Sequence, residues 1–104
     1  MEGLYFDPLH GNCLRRIRTV LPCETYRVDG VYGNDEPNEG EHWYAFVRVV
    51  SRTDSKWKLE VDFAGKPIKK KKLLKATFLL KKRCIRWEDR NVWKKLYVNA
   101  RQLV

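Results

Sequence analysis

The sequence predicts an all-β fold, a small antiparallel meander of five or six strands that closes into a barrel. Three observations carry this expectation. Residues 56–63 alternate strictly, with Trp57, Leu59, Val61 and Phe63 between Lys56, Lys58, Glu60 and Asp62, so that one face of an extended chain is apolar and the other charged. Residues 42–50 alternate as well, and here both faces are largely apolar: Trp43, Ala45, Val47 and Val49 against Tyr44, Phe46, Arg48 and Val50, which suits a central or barrel strand. Elsewhere, strand-like runs are separated by short turn-forming clusters, the pattern of a meander.

Taken in order, residues 1–12 contain the turn formers Asp7-Pro8 and His10-Gly11-Asn12 beside Leu4, Tyr5, Phe6 and Leu9, and are expected to form a tethered N-terminal arm. Within residues 13–21, Leu14, Ile17 and Leu21 fall at helical spacing, which slightly favours a short helix over an irregular strand; Thr19-Val20 and Pro22 work against it. Residues 24–32 turn β-like, with Asp29-Gly30 as a hairpin or bulge signal. An acidic loop over residues 33–41 follows, with Asp35, Glu36, Glu39 and Glu41 and no apolar residue but Pro37.

Residues 51–55 form a polar turn between the two clearest strands. Gly65-Lys66-Pro67 ends the second of them, because Gly admits positive φ and Pro has no N–H to donate. Residues 73–80 read as a strand with Leu74, Ala76, Phe78 and Leu80 on one face, although Leu73 to Ala76 is also good helix composition. Residues 83–87 and 92–98 are expected to be the last two strands, joined by a turn at Glu88-Asp89-Arg90-Asn91. Trp43, Trp57, Trp87 and Trp93 are large enough to fill much of a small barrel, and a large internal cavity is not expected.

The pattern Ile85-x-Trp87-x-Asp89-x-Asn91-x-Trp93 resembles the Trp-flanked hairpin near the end of several small β-meander domains, and the whole chain has the size of Tudor-like or SH3-like barrels. The likeness spans about ten residues and is architectural. It implies a barrel fold and no particular activity.

One domain fits the 104 residues, with 43% hydrophobic and 12% aromatic residues to build a core. Three cysteines, Cys13, Cys23 and Cys84, form no disulfide framework, and the first residues lack the pattern of a secretory signal. The expected location is therefore intracellular: the nucleus in a eukaryotic cell or for a virus of one, otherwise the cytoplasm. No apolar run reaches the roughly 18 residues of a transmembrane helix.

Charge supplies the functional expectation. The net charge is +9, and it is segregated: 8 basic against 11 acidic residues up to Asp62, but 14 against 2 from Phe63 onward. A polyanion is the partner such a surface attracts, nucleic acid first and an anionic membrane surface second. The phosphate-contacting candidates are Lys66, Lys69, Lys70, Lys71 and Lys72 on the connection after the second clear strand, and Lys81, Lys82, Arg83 and Arg86 one strand later. The rings expected to stack on bases are Tyr44, Phe46, Trp93 and Tyr97. Contacts of this kind carry little sequence information, so low specificity is expected. The lysine run equally fits a solvated loop, and it satisfies the basic pattern of a nuclear localisation signal.

The competing expectation is an interaction module. Tyr26, Tyr32, Trp43 and Tyr44 beside the acidic loop are able to form a cage for a cationic peptide, as in a Tudor-like reader, or the acidic loop could meet the basic half of another copy head to tail. His10, Cys13, Cys23 and His42 contain only one closely spaced pair, too little for a zinc site, and neither a metal nor a cofactor is expected. No phosphate loop, nucleophile elbow or apolar carboxylate pair is present, so the chain is not expected to be an enzyme.

Overall fold

The computed structural model describes residues 1–10, 14–21, 25–33, 39–67 and 69–96. Its strands are β1 (Gly3–Phe6), β2 (Leu14–Leu21), β3 (Thr25–Val31), β4 (His42–Arg52), β5 (Lys56–Asp62), β6 (Leu73–Leu79), β7 (Cys84–Trp87) and β8 (Val92–Lys95), with a single 3₁₀ turn at Pro8–His10. Each pairs antiparallel with its neighbours in sequence, and β8 returns to β1, so the sheet is a closed barrel. The expected all-β barrel is present, with eight strands rather than five or six.

The two extra strands both come from the first 21 residues. The expected N-terminal arm contains β1, which pairs with β2 on one side and β8 on the other. The expected short helix is β2. Alternation, not a helical period, governs it: Arg15 and Ile17 point inward, while Leu14 and Val20 are exposed. A helix here would leave β1 and β3 with unpaired edges, whereas a strand satisfies both ladders at once.

Asp29-Gly30 also departs from the expected hairpin or bulge, lying inside β3 in unbroken register with β4. Gly30 stands opposite Trp43, and a Cβ there would come within 2.6 Å of the indole and 3.0 Å of the Arg15 side chain. The glycine is a space for its neighbours.

An eight-stranded barrel has an interior just wide enough for side chains to fill. Connections β1–β2, β3–β4, β5–β6 and β7–β8 lie at one end, here called the upper, and the other three at the lower end. Between them the interior holds Ile17, Val28, Val47, Leu59, Val61, Phe78 and Ile85, all nearly inaccessible. Near the upper end the filling becomes a circle of flat groups. Trp43, Phe63, Trp87 and Trp93 follow one another with centroids 5.8, 5.6 and 4.7 Å apart. The Arg15 guanidinium completes the circle, 5.0 Å from the Trp43 ring and 5.7 Å from that of Trp93. Each ring pair contributes about 0.5–1.5 kcal/mol beyond burial, and a desolvated cation–π contact about 2 kcal/mol.

Arg15 is only 1% exposed, so its charge needs compensation. Asp7, also buried, lies 3.4 Å from it, and Arg15 donates a further hydrogen bond to the Val31 carbonyl. Asp7 is itself held by the Leu9 N–H at 2.9 Å and the Asn91 amide at 3.0 Å, which ties the β1–β2 connection to the β7–β8 turn.

Two stability outcomes follow from these contacts. Asp7→Ala leaves a buried guanidinium without its counter-ion and is expected to cost about 3–5 kcal/mol in urea denaturation; a loss under about 1 kcal/mol would show that Arg15 is compensated elsewhere. In the β7–β8 turn, Arg90 has φ +73°, and its N–H bonds the Trp87 carbonyl while Trp87 N–H bonds that of Asn91. A side chain in this left-handed region is strained, and Arg90→Gly is expected to raise stability by about 0.5–1 kcal/mol after allowing for glycine's freer unfolded chain. No gain in melting temperature would contradict it.

Candidate nucleic-acid interface

The lysine-rich connection and the 80–83 turn flank β6, so the two expected basic clusters sit at opposite ends of the barrel, about 20 Å apart at the rise of a strand. The residues of the upper cluster have different tasks. Lys72 donates to the carbonyls of Lys66 and Pro67, at 2.6 and 3.1 Å, and so braces the connection. Lys66 and Lys69 lean over the barrel mouth: the Lys66 ammonium is 4.5 Å from the Trp43 ring and 5.5 Å from Tyr32, and that of Lys69 is 4.9 Å from Phe63. Lys71 pairs with Glu88 at 3.2 Å. Lys70 is exposed.

At the lower end Lys81, Lys82 and Arg83 are exposed on the β6–β7 turn, Arg83 with φ +52°. Arg86 is neither at one end nor the other. It faces outward from β7, opposite Thr77 of β6, which in turn stands opposite Lys58 of β5. The next outward rung toward the upper end is Arg48, Glu60 and Lys75, with Arg48 and Glu60 joined at 2.8 Å. Lys58, Lys75 and Arg86 make no ion pair among the described residues and connect the two clusters across the sheet. Lys58, Glu60, Lys75, Thr77, Arg86 and Glu88 line a shallow groove of about 410 Å³ on this face.

The rung above that holds Phe46, Asp62 and Leu73. Phe46 is 41% exposed, its neighbour Tyr44 is 38% exposed, and the rings meet edge to face at 5.7 Å. Arg27 lies 4.5 Å above the Tyr44 ring and 6.0 Å from that of Phe46, and is fixed by Asp29 at 2.9 Å. Asp29 also takes Arg18 and the His42 Nε2, at 3.6 and 3.1 Å. Two rings and a guanidinium plane thus stand on the outer face beside the groove. They belong there because β4 alternates, and burying Trp43, Ala45 and Val47 puts Tyr44 and Phe46 outside.

Two of the four expected stacking rings are therefore accessible. Trp93 is a correction: it is buried in the circle of rings, 4.7 Å from Trp87, because inward alternation in β8 selects it. Tyr97 lies outside the described residues. Of the proposed cation cage, Tyr32 and Trp43 do meet around a cation, but it is the chain's own Lys66; Tyr26 packs against the core and Tyr44 is on the outer face. Cys13, Cys23, Asp35 and Glu36 lie outside the described residues, and Glu39 and Glu41 are exposed.

Charge-run reasoning missed Arg27, Arg48, Lys58 and Lys75. Their signal was the outward phase of strands already recognised: a cation isolated between apolar neighbours is inconspicuous in sequence, but rungs of a sheet gather several of them. Arg15 had no signal of its own.

Glu88 is held below the usual carboxylate range, first by the Lys75 N–H that it accepts at 3.0 Å and then by the Lys71 ammonium. A lowered carboxyl stabilises the fold above its unfolded value and loses that contribution as pH falls through the folded one. In an NMR titration the Lys75 amide is accordingly expected to shift only below the pH at which exposed glutamates titrate, and Glu88→Gln should abolish the step. A step at the ordinary glutamate value would refute the contact.

Compared with known proteins, the chain matches no family model, no curated protein and no solved structure. No helix among the described residues is long and apolar enough to cross a membrane.

Proposed function

We propose that the chain binds nucleic acid on the outer face of β3 to β7, with its cations along the phosphate backbone and Tyr44 and Phe46 against unpaired bases. The observation that carries this reading is the rung of Lys58, Thr77 and Arg86, with Lys75 beside it. It links basic clusters about 20 Å apart, and the rung of Arg48, Glu60 and Lys75 lies between it and the exposed Phe46. Three of the carboxylates on the same face are paired with cations, Glu60 with Arg48, Glu88 with Lys71 and Asp29 with Arg18 and Arg27, and the fourth, Asp62, accepts the Ala64 N–H; Lys58, Lys75 and Arg86 add positive charge beyond these pairs.

Unpaired strands are favoured because base planes reach side chains only when unstacked, and ring stacking tolerates any base. The proposed role is binding with low sequence preference and without catalysis, inside the cell. The cationic-peptide reading is weaker, since Lys66 already lies over Tyr32 and Trp43.

The test is fluorescence anisotropy of labelled single- and double-stranded DNA and RNA over a salt series. Contacts to about five phosphates of a single strand give a log–log slope near −3.5. Lys58→Gln, Lys75→Gln and Arg86→Gln together are expected to reduce the slope by about 2, whereas Phe46→Ala costs about 1–3 kcal/mol with the slope retained. No binding of any polymer at about 50 mM salt, where these contacts are strongest, would overturn the proposal.

A further inference from the structure

We propose that the upper mouth of the barrel is a binding site for a phosphate group, separate from the outer face. The mouth is a small pocket of about 80 Å³ whose lining includes Arg15, Lys66, Lys69, Trp43, Trp87 and Asn91. Three of these are cations. Asp7 and Asp89 also border the pocket, but each accepts hydrogen bonds from the protein: Asp7 from Leu9, Asn91 and Arg15, and Asp89 from the Asn91 N–H at 3.0 Å. Among the described residues the lining thus carries three cations and two carboxylates.

The indoles supply the independent observation. Trp43 and Trp87 are 1% and 5% exposed, and their Nε1–H donors have no acceptor among the described residues. A buried donor without an acceptor costs about 1–3 kcal/mol, and most native structures avoid the loss. Both indoles line the pocket that these cations border. What would satisfy all of these groups together is an oxygen-rich anion with several acceptor sites. About 10–15 Å³ of such space holds one water, so the pocket has room for a compact oxyanion. Phosphate, with its multiple charged acceptors, suits donors of both kinds, the charged guanidinium and ammonium and the neutral indole. The group is available from two sources, free inorganic phosphate or the terminal phosphate of a strand lying on the protein.

The experiment follows the four indole N–H signals in a ¹H–¹⁵N spectrum of the whole chain as inorganic phosphate is added, with sodium chloride at matched ionic strength as control. Trp57 serves as the internal reference, since it lies at the lower end beside Phe78 and Arg52. Saturable shifts of Trp43 and Trp87 with Trp57 unmoved are expected. Lys69→Met keeps an apolar stem over Phe63 and is expected to weaken phosphate about tenfold, the loss of one charge-assisted hydrogen bond. An unmoved Trp57 signal in that variant certifies its fold.

A 5′-phosphorylated oligonucleotide compared with its 5′-hydroxyl counterpart then separates the sources. Shifts with the phosphorylated strand alone assign the mouth to strand ends, and shifts with inorganic phosphate but equal behaviour of the two strands assign it to the free ion. No saturable shift of Trp43 or Trp87 with any of these probes, or the same shift with chloride, would overturn the site. Because the readout is confined to the mouth, its failure is distinguishable from failure of binding on the outer face.

Discussion

A buried guanidinium shapes this barrel. Arg15 enters the interior from β2, and its desolvation is met by the carboxylate of Asp7, the carbonyl of Val31 and the faces of Trp43 and Trp93. Much of the upper interior follows from accommodating it. Gly30 gives up its side chain so that the Trp43 indole and the Arg15 stem both fit. Asp7 must be gripped by Asn91 from across the closure, which fixes the β7–β8 turn against the β1–β2 connection. The lower interior, filled with Val47, Leu59, Phe78 and Ile85, makes no such demands. Buried ion pairs seldom add net stability over an apolar core of equal volume, but losing one partner is costly. The pair therefore specifies which strands meet more than it strengthens their meeting.

The same economy runs through the lysine-rich connection. In sequence, Lys69 to Lys72 is a uniform run, and its uniformity suggests a solvated tail. In the fold the four side chains have four environments: over Phe63, in water, on Glu88 and against backbone carbonyls. Lys66 joins them by covering Trp43 and Tyr32. A run of like charge is thus partly consumed in holding its own loop down, and Lys58, Lys75 and Arg86, which bridge the two clusters, lie on three different strands with none next to another in sequence.

How far the sequence reveals these features depends on the range of the forces involved. Strands β4 to β8 are legible because alternation of apolar and polar residues is a local record of which face is buried; in β4 both faces are largely apolar, so alternation groups Tyr44 with Phe46 but leaves open which face is outward. Strand β2 was not, because Leu14 and Val20 are exposed while Arg15 is inside, an inversion that only the distant Asp7, Trp43 and Trp93 make favourable. The strand count failed for the same reason: β1 has four residues, and its identity comes from partners β2 and β8 on either side. Gly30 misled in a related way, since a glycine required by a facing indole looks in sequence like one required by a turn.

Barrel closure joins the two ends of the meander. Among the described residues, strands β3 and β4 are matched over seven residue pairs, as are β5 and β6, and β1 and β8 over two, Tyr5 with Lys95 and Phe6 with Lys94. The hairpins of the meander join near neighbours along the chain, whereas the bond from Asn91 to Asp7 spans 84 positions. Local pairing tends to precede distant pairing in a search through conformations, so this seam, whose partners lie furthest apart in the chain, is expected to zip last. When it parts, the sheet becomes an open ribbon with two bare edges, and the circle of flat groups loses the contact between Arg15 on one lip and Trp93 on the other. The mouth and the seam therefore share one fate: whatever grips the upper pocket also clasps the cylinder shut.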